Sequence, residues 1–357
     1  MNLFRPVTRF KHGGGPLVSR RELLRIGGVS LLGLNAPGLV NADDATPSPQ
    51  EGTQPARLTK NAETGAFDFD TPLMSGSIVT EGPYHGVAGL FDKRSGKLIN
   101  DSRYSVLNLF KLMAVNLGMG TPRLTSREVK STDTTVEIFW PATENHQGEI
   151  TARYAVSGPD TIDLHLTLRV KGTYAGYELL LPNYFDQAMV PHVYLLRRMI
   201  DGKTPEADLV VPGFSEVYRG CSLVFPRDAH AARRPLDGRW DRSELGANVA
   251  PFFPMRHYAH PVTFMTDTEK KHAAVLMMKR AACSAISARY YTPRIEDRAT
   301  TYSAVDFLVF GDDLVPGDLR TAQVRLVLTP LDEQMSQPLA LYDKFLAEPS
   351  DTLTTEP

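Results

Sequence analysis

The chain has 357 residues, of which 42% are hydrophobic, 22% charged and 9% aromatic. This is a globular composition and excludes a fully disordered or collagen-like chain. Its length suits two domains or one large all-β domain. Lys and Arg number 39 against 41 Asp and Glu, a formal charge of −2, so no overall basic field favours nucleic acid. Two cysteines are too few for a disulfide-rich scaffold.

The first 42 residues read as an export signal. Arg5, Arg9, Lys11, Arg20, Arg21 and Arg25 make a positive start, and Ser19-Arg20-Arg21-Glu22-Leu23-Leu24 resembles the twin-arginine (Tat) motif of bacterial export signals. The mildly apolar stretch 26–40 contains Gly27, Gly28, Gly33 and Pro37 and falls short of the ~20 apolar residues of a spanning helix. Val40-Asn41-Ala42 approximates a small-x-small cleavage site; the competing reading is a basic tail before a membrane anchor. Cleavage after Ala42 leaves 33 basic and 40 acidic residues, a net charge of −7. No later window reaches ~18 uncharged apolar residues, so no membrane span is expected after signal cleavage. The expected destination is the periplasm or the extracellular space.

Residues 43–65 are polar and hold three prolines, which predicts a disordered linker. From residue 66 short alternating runs begin, at 83–91, 104–115, 136–140, 148–156, 161–170, 176–182, 216–225, 262–266, 272–280, 283–291, 301–310 and 321–329. In 161–170, Ile162, Leu164, Leu166, Leu168 and Val170 share one face, the period of a strand with one wet side. Turn residues separate the runs: Gly96 in 92–97, Gly158-Pro159-Asp160, and the loop 311–318. About a dozen strands without βα alternation predict an antiparallel sandwich. The segment 226–256 lacks periodicity and reads as a long irregular insertion. One helix is expected over 334–347, with Pro338 tolerated near its first turn and its apolar residues docking on an outer sheet face. The expected domain is thus 66–347, with a flexible tail over 348–357.

Three features together resemble the galactose mutarotase-like β-supersandwich. They are the hairpin from His85-Gly86-Val87 to Gly96-Lys97-Leu98, the paired strands 148–156 and 161–170 joined by Gly158-Pro159-Asp160, and the late hairpin 301–328. The resemblance covers roughly 66–330 and is one of pattern. It implies an all-β antiparallel supersandwich with one C-terminal helix. It also implies a carbohydrate ligand on a concave sheet face, handled by an epimerase, lyase, hydrolase or binding module.

Cys221 and Cys283 show no metal-ligand spacing, and whether they pair is open. His257 and His260 point to opposite faces if they lie on a strand, or could share a ligand in a turn. No GxSxG elbow is present, and Gly118-Met119-Gly120 lacks the strand–helix context of a nucleotide site. No metal and no cofactor are expected. Sugar chemistry needs an acid and a base plus aromatic surfaces. His192, His257 and Glu296 are the candidate acid–base groups, in an order compatible with mutarotase-like proton transfer at the anomeric hydroxyl and ring oxygen. His85, Tyr184, Asp186, Trp240, Arg256 and Tyr290 are the candidate binding residues. A lyase would also need a cation opposite a uronate carboxylate, for which Arg197, Arg198, Arg256 and Arg289 are available. The expected partner is a mono-, oligo- or polysaccharide and not nucleic acid, with oligomeric state open. The alternatives are a non-catalytic glycan-binding protein and a structural protein of the cell envelope. For the enzyme, His192→Ala is expected to abolish turnover with little loss of stability.

Overall fold

The computed structural model describes residues 55–116, 122–144, 146–197, 207–212, 221–233, 250–252, 256–289 and 302–349. The strands, numbered in chain order, build three sheets. A five-stranded sheet runs in sequence order through β1 (Thr59–Lys60), β2 (Phe67–Asp70), β3 (Met74–Val79), β4 (Gly86–Asp92) and β5 (Lys97–Leu98).

Two larger sheets form the sandwich. The first contains β6 (Lys111–Met113), β11 (Tyr174–Phe185), β14 (Cys221–Pro226), β15 (Ala250–Phe252), β18 (Cys283–Arg289) and β19 (Ser303–Leu314). Its order is β15-β14-β18-β19-β11-β6. The second contains β7 (Glu128–Ser131), β8 (Thr135–Trp140), β9 (Gly148–Gly158), β10 (Thr161–Val170), β12 (Val190–Leu196), β13 (Ala207–Val210), β16 (Tyr258–Thr266), β17 (His272–Met278) and β20 (Leu319–Pro330). Its order is β13-β12-β16-β17-β20-β10-β9-β8-β7. Pairing is antiparallel throughout these sheets except between β14 and β15.

The alternation in 161–170 explains the layering. Ile162, Leu164, Leu166, Leu168 and Val170 are buried with Leu179, Leu181, Phe307 and Val309 of the facing six-stranded sheet in one core. The runs on β11 and β19 do not alternate because both faces of that sheet are covered at its centre. Leu180, Leu308, Ala285, Val224 and Met113 form a separate apolar patch on its outer face. The fold is therefore an all-β antiparallel sandwich with one C-terminal helix. Among the described residues, no helix is long and apolar enough to cross a membrane.

Three expectations shift. β1 falls inside the stretch expected as linker, because Leu58 is buried and its amide donates to Asp133 O. The run 104–115 is a strand only over Lys111–Met113. Before it, Val106 bridges to Val87, Leu107 adopts a left-handed φ of 57°, and Phe110 N then bonds Leu180 O, so the segment changes partner and cannot stay straight. The helix, α1, spans Gln337–Ala347 and starts later than expected. Met335 has φ 53°, and the Asp332 carboxylate holds Ser336 N and Oγ just ahead of the first turn. Tyr342 and Phe345 of α1 pack on Val262, Phe264, Val275, Met277 and Val327, covering part of the outer face of the nine-stranded sheet. Signal residues 1–42, Trp240 in the insertion, and the tail beyond 349 lie outside the described residues.

Candidate functional site

Strand alternation builds a polar platform on the outer face of the six-stranded sheet. Cross-strand register sets Pro182 beside Asp306 and Asp306 beside Ser287. One step further along the strands, Tyr184 pairs with Ala304 and Ala304 with Arg289. The two rows lie about 7 Å apart, as same-face neighbours on a strand do. Toward the other end, the apolar row of Leu180, Leu308 and Ala285 replaces polar side chains. The small Ala304 thus stands between Tyr184 and Arg289.

Asp306 is the chemically unusual group. Its side chain is 7% exposed; Ser287 Oγ donates to Oδ2 at 3.1 Å, and Oδ1 is buried with no hydrogen-bond partner. Burial raises its pKa from 3.8 to about 6, against the opposing Arg289 charge, the Ser287 hydroxyl and the Asn183 amide. Arg289 is held in place by its neighbours. Its Nε and Nη2 donate to Ser222 Oγ at 3.2 and 2.9 Å, and Nη1 donates to Tyr302 OH at 3.2 Å.

Four tyrosines wall this platform. Tyr184 lies edge-on to Tyr302 at 4.8 Å between ring centres and 5.0 Å from Tyr104, and Tyr104 contacts Tyr84 at 4.6 Å. Burial pushes the Tyr184 and Tyr302 hydroxyls upward, so both are neutral phenols at physiological pH. Tyr104 is placed by the irregular segment that runs along the edge of β11, where Asp101 N, Asn108 N and Phe110 N donate to Tyr184 O, Pro182 O and Leu180 O. Gly86 makes the crossing possible. At φ 114°, a Cβ there would meet Val106 O at 2.5 Å.

Of the residues expected from sequence, Tyr184 belongs to this face. His85 lies behind it, fully buried against Trp140, with Leu109 N donating to Nε2 and the Arg127 guanidinium 3.2 Å from Nδ1. Burial, then Arg127 and Arg123, lower its pKa to about 3, so it is neutral. His192 is on the other sheet: it stacks on Phe264 at 4.7 Å, on the α1-covered side, and burial lowers its pKa. His192 pairs with Phe264, whereas the His257 carbonyl accepts from Leu196 N. The two histidines therefore stand four strand positions apart, about 13 Å. Arg256 Nη2 donates to Leu196 O and Asp208 Oδ2, at the edge near β13. Asp186 lines a separate cleft of about 260 Å³ with Asp92, Lys97, Asp267 and His272. Glu296, Trp240 and Tyr290 lie outside the described residues.

Sequence reasoning missed Asp306, Tyr104 and Tyr302 as members of the site. A carboxylate inside the apolar strand Ser-Ala-Val-Asp-Phe-Leu-Val-Phe was the available signal, since an unpaired charge is costly in such a strand. The cysteines cannot bridge. Leu223 pairs with Ala288, which puts Cys221 seven strand positions from Cys283, about 23 Å against the ~7 Å limit for a disulfide. Cys283 is a buried free thiol whose pKa burial raises to about 12. Among the described residues, no three His, Cys, Asp or Glu side chains form a metal-binding group.

No protein-family model matches the chain, and no curated protein matches it. Among solved structures it is similar to the Slr1438 protein from Synechocystis sp. PCC 6803, at 11% identity over 81% of this chain and 99% of that one, TM-score 0.44. It is also similar to galactose 1-epimerase from Lactobacillus acidophilus NCFM, at 10% identity over 78% and 98%, TM-score 0.39. A third is the aldose epimerase homologue from C. elegans, at 10% identity over 75% and 99%, TM-score 0.42.

Proposed function

We propose that the protein binds a saccharide on the tyrosine-walled face of the six-stranded sheet and acts on it by proton transfer at Asp306. The carrying observation is the buried Asp306 carboxyl, with its raised pKa and unpartnered Oδ1, beside Arg289 and four tyrosine rings. A carboxyl near pKa 6 can both donate and accept a proton close to neutral pH. Tyrosine rings offer apolar area to a pyranose face and hydroxyls to its rim. Arg289, fixed by Ser222 and Tyr302, supplies planar donors to sugar oxygens. Epimerisation, elimination and hydrolysis each need a second acid–base group, and Glu296 takes that role in this reading, with Trp240 and Tyr290 as further binding residues.

A second reading, a non-catalytic glycan-binding protein, is favoured by the placement of His192 and His257, which do not share this face. A screen of neutral and acidic oligosaccharides by thermal shift and product analysis separates the two. Turnover that disappears in Asp306→Asn and in Glu296→Gln supports the enzyme. Binding without product supports the binder, and silence across the screen overturns both. We also propose Tat-dependent export to the periplasm or beyond, supported by Arg20-Arg21 within the basic start. Replacing both arginines by lysine should retain the protein in the cytoplasmic fraction; unaltered export refutes this route.

A further inference from the structure

The row of side chains that holds Asp306 continues to a buried amide that the proposed proton transfer does not use. Asn108 lies on the segment that runs along the edge of β11, and its backbone N donates to Pro182 O. Pro182 pairs with Asp306 and Asp306 with Ser287, so Asn108, Pro182, Asp306 and Ser287 form one row across the sheet. Alternation along the segment fixes which way Asn108 faces. Its neighbours Leu107 and Leu109 belong to the main core, whereas Phe110 packs on the outer apolar patch with Leu180 and Leu308. Asn108 shares the Phe110 side, which is the face that carries Asp306 and Tyr184.

Asn108 is fully buried, and among the described residues neither Oδ1 nor Nδ2 has a hydrogen-bond partner. Buried amides in folded proteins are paired, and one with both poles unmet lowers stability. A leucine of similar shape would fill the position without that cost, so packing does not account for the amide. Asp306 Oδ1, in the same row, is buried and unmet as well. Between the two stands Pro182, whose side chain carries no polar atom. Neighbouring strands lie ~4.8 Å apart, which puts the Asn108 and Asp306 backbones ~10 Å apart. Above Pro182 that span is the width of one sugar ring with a hydrogen bond at either side. At the Phe110 end of the row, Arg123 rests 3.8 Å above the Phe110 ring centre and 5.4 Å from that of Tyr84, and an entering sugar can displace such ring contacts.

We infer that Asn108 is a specificity-determining residue of this site, and that its amide reads an unsubstituted vicinal diol on the sugar ring whose opposite side meets Asp306. One hydroxyl of the pair donates to Oδ1 and its neighbour accepts from Nδ2, which uses both poles of the amide. This rests on the saccharide reading above and deepens it, from a saccharide in general to one ring laid across Pro182 with two adjacent free hydroxyls. A sugar that lacks either hydroxyl leaves half of the buried amide unpaired in the complex, and that penalty is the source of the discrimination.

The test is calorimetric titration of the full chain with glucose, galactose and mannose, and with the analogues of each that lack one ring hydroxyl. For the sugar that binds, removing either of two adjacent hydroxyls should weaken binding by roughly tenfold, the scale of one buried polar group left unpaired. Asn108→Leu should bind that sugar and its two deoxy analogues with one common, weaker affinity. Its melting temperature should equal or exceed that of the parent, because the variant removes an unmet buried amide. Deoxy analogues that bind the parent as tightly as the complete sugar overturn the inference and leave the saccharide reading standing. So does an Asn108→Leu variant that keeps the discrimination, or one that melts lower while binding unchanged, the mark of a purely structural amide. Oligosaccharides that bind where all three monosaccharides and their analogues fail also overturn it alone. Failure of every mono- and oligosaccharide to bind overturns the saccharide reading, and the inference falls with it.

Discussion

Replacing Asp306 with Asn should change the pH dependence of stability in a calculable way. Burial raises the Asp306 pKa from 3.8 to about 6 in the folded protein. Between those values the folded chain holds a proton that the unfolded chain has released. Stability attributable to this group is therefore fully present below about pH 4, falls as pH rises, and levels off above about pH 6. A rise of about 2 units corresponds to a loss of ~3 kcal/mol over that window. Asn carries no titration, so the variant lacks this decline. A buried amide nitrogen without a partner costs ~1–3 kcal/mol, but that penalty does not depend on pH.

The measurement is urea unfolding of both proteins at half-unit steps from pH 4 to pH 8, with stability read as the difference between them. The variant should gain ~3 kcal/mol on the parent from pH 4 to pH 7, with most of the change between pH 4 and 6. It should simultaneously lose saccharide turnover. A constant difference across the range would mean that Asp306 titrates as an ordinary carboxylate, and the reason for placing the chemistry there would be gone.

Three further outcomes test how the fold supports the site. His192→Ala should lower stability by ~2 kcal/mol, because it empties the space on Phe264, while saccharide affinity stays unchanged; a selective loss of turnover would move the chemistry to the other sheet. Arg325→Met should cost ~3 kcal/mol in urea unfolding, since it strands the buried Asp163 carboxylate that Arg325 clasps from Nε and Nη2 and also frees Glu348 beyond α1. Adding Asp163→Asn should recover part of that loss, and strict additivity of the two changes would refute the pairing. Gly86→Ala should destabilise by ~3 kcal/mol or more and weaken binding through displaced Tyr84 and Tyr104, seen as a lower melting temperature with a weaker saccharide shift.

The sandwich was legible because burial on one face leaves period-two runs. The strand 161–170 is buried at Ile162, Leu164, Leu166 and Leu168 and wetter at His165, Thr167 and Arg169, as expected from alternation. The same rule was uninformative where both faces are covered. On β11 nearly every residue from Gly176 to Phe185 is buried, so the sequence there does not mark which side chains look outward. Only pairing register separates Tyr184, which joins Arg289 through Ala304, from Asn183, which turns inward to bond Leu107 N and Val305 O. Register depends on contacts more than a hundred residues apart in the chain and leaves no local trace.

The histidines show that residue type alone does not set a side chain's chemistry. An imidazole has the right pKa for neutral-pH chemistry only while it remains accessible to water or a partner. His85 and His192 are both buried and both pushed downward, so the fold spends them on packing against Trp140 and Phe264. The carboxyl takes the opposite course. Burial that makes an imidazole a poorer base makes Asp306 a stronger one and brings its pKa toward neutrality. If the proposed proton transfer takes place on this face, a carboxyl therefore suits it better than a buried imidazole, and Asp306 meets that condition where His85 and His192 do not.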